Sequence, residues 1–96
     1  MEITKTTEGT KLTLKVKGRI DTMTAPQLEK ELVLDGVAEL MFDITDVDYV
    51  SSAGLRLFLS AQKVMNKQGS MTLSNVNNSI LEVFEMTGFS DILTIV

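Results

Sequence analysis

The chain has 96 residues and a mass of 10.6 kDa, is 44% apolar, and carries a formal net charge of -4 from nine Lys and Arg against thirteen Asp and Glu. That length holds one domain with a modest core and excludes a multidomain enzyme. With neither cysteine nor histidine it has no disulfide, no thiolate or imidazole metal ligand and no histidine acid-base chemistry, which removes most hydrolase mechanisms.

An acidic protein repels phosphate backbones and anionic lipid unless it carries a local basic patch. Lys5, Lys11, Lys15 and Lys17 are interleaved with Glu and Thr instead, so neither nucleic acid nor a membrane surface is an expected partner. The start has no basic segment followed by an apolar one, and the apolar runs are only a few residues long, so a cytoplasmic protein is expected.

Met1 to Lys5 is extended in character, and Glu8-Gly9 supplies a turn. Leu12, Leu14 and Val16 then alternate with Lys11, Thr13, Lys15 and Lys17, which predicts a strand with one wet face. A strand covered by helices on both faces would be apolar on both, so helices are expected mainly on one side. After Gly18-Arg19-Ile20-Asp21, the Thr24/Gln27 pair and Pro26 predict a helix start, with Ala25, Leu28 and Leu32 inward and an end near Val33 before Asp35-Gly36. Leu40, Phe42 and Ile44 alternate through a second core strand, and Thr45 to Val50 reads as a polar connection.

The strongest helical pattern lies between Leu55 and Lys67. Arg56, Ser60, Lys63 and Lys67 form one polar stripe, Leu57, Phe58, Ala61, Val64 and Met65 the opposite one, and Leu55 and Leu59 lie between. Gly69 ends it, Met71 to Ser74 is a short strand, and the Ser79/Glu82 pair predicts a last helix stopped by Gly88 with Phe89 beyond. The tail Ile92 to Val96 is expected to dock as a short strand or turn. The order β-β-α-β-α-β-α implies an α/β fold, a mixed sheet with helices packed mainly on one face.

Two features could carry chemistry. Ser51-Ser52-Ala53-Gly54 sits at a strand-to-helix junction, where first-turn amides without intrahelical acceptors favour an anion such as phosphate. Either serine could equally be an N-cap, and the small Ala53-Gly54 suits either a close-approaching protein or nucleotide or a tight bend. The second feature is the acidic set Asp21, Asp43, Asp46 and Asp48. If gathered, it could bind Mg²⁺ or act as acid and base, and its alternative role is turn capping. There is no P-loop, and no G-x-S-x-G elbow activates a serine, so no catalysis, metal or cofactor is expected.

Phe42-Asp43-Ile44 through Val47 to Leu55, with Gly18-Arg19-Ile20-Asp21 upstream and Val83 to Phe89 downstream, resembles the STAS domain of bacterial anti-sigma factor antagonists. The likeness covers nearly the whole chain, and a single STAS domain is expected over residues 1–96. It implies a small protein that binds an anti-sigma factor serine kinase and frees the sigma factor for transcription. It further implies switching by phosphorylation, reversed by a PP2C-type phosphatase. Matched residue by residue, the phosphoacceptor is Ser52, with Ser51 as the alternative because that position often holds Asp in the best-known members. Asp21 matches the family's acidic residue near the acceptor. The expected partner surface comprises Asp21, Ser51, Ser52, Ala53, Gly54, Leu55, Arg56 and Leu59, the two leucines because they border the polar stripe. The alternative is a STAS scaffold that binds a partner or nucleotide without being phosphorylated.

Overall fold

The computed structural model describes residues 1–96. Strands β1 (Glu2–Glu8) and β2 (Lys11–Ile20) form an antiparallel hairpin closed by Gly9, whose φ of +59° suits a residue without a Cβ. Strands β3 (Glu39–Val50) and β4 (Ser70–Ser74) follow in parallel, giving the order β1-β2-β3-β4. Helix α1 (Ala25–Lys30) connects β2 to β3, and α2 (Ser52–Gln68) connects β3 to β4. Helix α3 (Asn78–Thr87) and a 3₁₀ turn at Phe89–Asp91 lead into the tail, where Ile95 bridges to Leu73 in parallel. The expected element order and the docking of the tail as a short strand match this arrangement.

One face of the sheet is buried and the other is open. Leu12, Leu14, Val16, Leu40, Phe42, Ile44, Met71 and Leu73 are inaccessible, whereas Lys15 and Lys17 on the opposite face of β2 are exposed. The helices cover the apolar face with Leu28, Phe58, Met65, Ile80 and Phe84. The Phe58 ring joins two layers edge-on, 5.1 Å from Phe42 in β3 and 6.2 Å from Phe84 in α3. Helix α2 is therefore set by the core beneath it.

Several local expectations are corrected. Residues Thr45 to Val50 continue β3 rather than connecting it onward, because Val47 and Val50 are buried too. The pairing with β2 shifts between Lys15 and Lys17 and again between Gly18 and Arg19, each time with an extra residue on β3. These bulges change the spacing of buried residues from two to three, which breaks the alternation that marks a strand in sequence. Helix α1 ends at Lys30, short of Val33, and Leu32 and Leu34 reach the core from the turns beyond.

Neither expected capping box forms. Thr24 makes no side-chain cap on α1, and α3 is capped by Asn77, whose side chain accepts from the Ile80 N–H at 3.0 Å and donates to the Val47 carbonyl at 2.9 Å. That second bond ties α3 to the bulged part of β3. Val64, expected in the core, is 41% exposed. Gly88 ends α3 in the left-handed conformation, as expected.

Candidate functional site

The site forms where β2 and β3 end side by side. Ile20 pairs with Val50, and the Ser51 N–H donates to the Ile20 carbonyl at 2.8 Å, so the chain turns into α2 directly beside the exit of β2. Ser51 is the N-cap residue, extended at φ -86° and ψ 177°, and its carbonyl accepts from the Leu55 N–H at 2.9 Å. Its hydroxyl makes no capping bond. Ser51 Oγ is buried without a partner, while Ser52, the first residue of the helix, is exposed. The first turn of α2 thus begins without a side-chain cap or an acidic residue, leaving the amide-rich end of the helix favourable to an anion.

Gly54 explains the small residues of the motif. A Cβ there would lie 2.8 Å from Ile20 Cγ2 and 2.9 Å from Val50 Cγ1, so glycine lets α2 settle onto the ends of both strands. Gly54 is buried and offers nothing to a partner or nucleotide, which corrects that expectation. Leu55 is also withdrawn from the expected surface, because it is 8% exposed and belongs to the core. Leu59 and Ala53 are partly buried and Arg56 is exposed.

Asp21 is part of a braced turn. Its Oδ1 accepts from the Met23 N–H at 3.0 Å and the Thr24 N–H at 3.1 Å, and Arg19 Nε donates to Oδ2 at 3.4 Å. Thr24 closes the turn, its hydroxyl donating to the Arg19 carbonyl at 2.6 Å and accepting from the Asp21 N–H at 2.9 Å. The Thr24 backbone N–H, followed by the other donors, holds the Asp21 carboxyl below its ordinary range. Arg19 also stacks on Tyr49, 4.4 Å from the ring centre.

The acidic set does not converge. No three acidic residues come together in a way that could hold a metal ion. Asp43 lies opposite Lys15 and Ser74 in the sheet and accepts from Thr45 Oγ1 at 2.6 Å and Asn75 Nδ2 at 3.2 Å. The Thr45 hydroxyl is the main cause of its lowered pKa.

Two further features carry little signal in the sequence. A groove of about 550 Å³ runs between α1 and α2, lined by Pro26, Leu32, Ala53, Leu57 and Val64, with Glu29 and Arg56 among its polar walls. Val64, on the apolar stripe but exposed, lines this groove. Met23, held in the Asp21 turn, is 87% exposed. A methionine in a polar turn carries no periodicity, so only its exposure marks it.

A family model described as the STAS domain matches residues 2–96. An anti-sigma-B factor antagonist of Bacillus subtilis (strain 168) is 36% identical over 83 residues, covering 83% of this chain and 76% of the relative. The crystal structure of an anti-sigma factor antagonist from Mycobacterium paratuberculosis superposes with a TM-score of 0.86 at 21% identity, over 98% of this chain and 83% of that one. The Bacillus cell fate determinant SpoIIAA in its phosphorylated form superposes with a TM-score of 0.76 at 14% identity, over 99% of this chain and 91% of that one.

Proposed function

The chain belongs to the STAS domain family, and from that premise we propose that it is an anti-sigma factor antagonist, switched off by phosphorylation of Ser52. In this reading it binds an anti-sigma factor serine kinase, releases the sigma factor, and is restored by a PP2C-type phosphatase. The observation that carries the switch is the contrast between the two serines. Ser52 is exposed at the amide end of α2, whereas Ser51 Oγ is buried. The relatives named as anti-sigma-B factor antagonists support the role, and the phosphorylated form of SpoIIAA supports phosphorylation as its control.

The binding surface comprises Ser52, Ala53 and Arg56 on α2, Leu59 at its edge, and the Asp21 turn with Met23. Phosphorylation adds about -1.5 to -2 charge and three acceptor oxygens at a helix end that accommodates them. The fold need not change. A partner surface complementary to a neutral hydroxyl meets a doubly charged group, and repulsion and steric conflict release it.

Incubation with the cognate kinase and ATP, followed by phosphopeptide mass spectrometry, should find one phosphate at Ser52 and none in Ser52→Ala. Modification chiefly at Ser51 would move the acceptor by one residue. With neither serine modified, the scaffold reading replaces the switch.

A further inference from the structure

We infer that Arg56 is the built-in counter-ion of phosphorylated Ser52, clamping the phosphate onto the first turn of α2; this rests on the reading of Ser52 as phosphoacceptor. Ser52 and Arg56 are four residues apart on one helix, the spacing at which side chains meet, and the anion lies N-terminal to the cation, the better orientation. Long side chains on a helix lean back over the preceding turn, which puts the surface where a phosphate on Ser52 would project within reach of the Arg56 guanidinium. A guanidinium presents a planar fork of donors suited to two phosphate oxygens at once.

Arg56 is also uncommitted. It is exposed and belongs to none of the three ion pairs, Lys5 to Glu31, Lys11 to Glu39 and Arg19 to Asp21. The other cation near this end, Arg19, is already held by Asp21 and the Tyr49 ring. The next cation along α2 is Lys63, about 10 Å further down the axis. Three acidic groups also flank this part of the fold: Asp21 in the braced turn, Asp48 near the end of β3, and Glu29 across the groove from Arg56. They repel a phosphate and leave Arg56 as its partner.

The clamp gives one modification two consequences. In the unmodified protein Arg56 is free at the mouth of the groove beside Ser52, available to an acidic group on the kinase. Once Ser52 carries phosphate, the guanidinium is occupied, so the partner loses both the hydroxyl and a free cation.

Phosphoserine installed at residue 52 by co-translational incorporation makes the test independent of any kinase. The phosphate is titrated by ³¹P NMR in the full chain, in Arg56→Gln and in Arg56→Lys. Its apparent second pKa should be higher in Arg56→Gln by about 0.3 to 1 unit, from the strength of an exposed helix pair up towards that of a weak charge-assisted hydrogen bond, with Arg56→Lys between. The difference should shrink in high salt, and the Arg56 Nε–H resonance should move on phosphorylation. Equal titration in all three proteins, or an unmoved Arg56 resonance, overturns the clamp. Failure of the kinase to modify Ser52 would instead overturn the reading on which it rests.

Discussion

Gly54 sits against Ile20 so closely that a methyl group on it would come within 2.8 Å of Ile20 Cγ2 and 3.1 Å of the Ile20 carbonyl oxygen. Two effects oppose each other in Gly54→Ala. Alanine is favoured over glycine in a helix by about 1 kcal/mol, whereas overpacking a well-filled core costs about 1–3 kcal/mol. Ile20 and Val50 are buried and β-branched, so neither can swing aside. Gly54→Ala should therefore lower stability in urea unfolding and, by lifting the start of α2, slow phosphorylation at Ser52. A variant as stable as the parent would show that the strand ends yield.

The charge at residue 52 should bear on stability in a sign-dependent way. With no acidic residue in the first turn of α2, Ser52→Asp should be neutral or stabilising by about 0.3–1 kcal/mol, and Ser52→Lys destabilising by a similar amount. The circular-dichroism spectrum should be unchanged in both, while kinase binding weakens in Ser52→Asp. Loss of the spectrum would mean that the serine is structural.

Asn77 should matter and Ser79 should not. Asn77→Ala removes the Ile80 cap and the bond to the Val47 carbonyl, and should lower stability by about 1–2 kcal/mol. Ser79 is exposed and makes no cap, so Ser79→Ala should stay within about 0.5 kcal/mol of the parent. Denaturant midpoints of the two variants make the comparison directly.

Asp21 and Asp43 both titrate below their ordinary value of 3.8. A carboxyl whose folded pKa is depressed adds stability above its unfolded pKa and loses it as pH falls through the folded one. The urea midpoint should thus hold above pH 4 or so and drop in more acidic solution. Asp43→Asn should lower the midpoint at neutral pH and make the acid decline shallower, an effect absent if the Thr45 and Asn75 bonds do not favour the carboxylate.

Gln62 is only 5% exposed, and although its Nε2 donates to Asn66 Oδ1 at 2.8 Å, its Oε1 has no partner. A buried acceptor left unsatisfied is unfavourable, so Gln62→Leu should raise stability by about 1 kcal/mol in urea unfolding. Destabilisation would mean that water reaches this amide.

Strict periodicity made part of the fold legible without coordinates. The alternation of Leu12, Leu14 and Val16 with lysines marked a strand with one wet face and placed the helices on the other, and the Arg56, Ser60, Lys63 and Lys67 stripe oriented α2. The Ser51 to Gly54 junction was legible because a helix start has local chemistry. Long-range pairing decided the rest. The bulges that carry β3 on to Val50 exist only against β2, so Thr45 to Val50 looks like a loop until Val47 and Val50 have a core to enter. Asn77 outcompetes Ser79 as a cap because Val47 supplies an acceptor 30 residues away in the chain. Tertiary packing also buried Leu55, at the border of the apolar stripe, while leaving Val64, within it, open, since burial depends on the neighbouring elements: Val64 faces the groove left beside the short α1. The difference between Ser51 and Ser52 is likewise tertiary. Adjacent in sequence and alike in chemistry, they part only when the Ile20 carbonyl captures the Ser51 N–H, turning one hydroxyl inward and leaving the other in water.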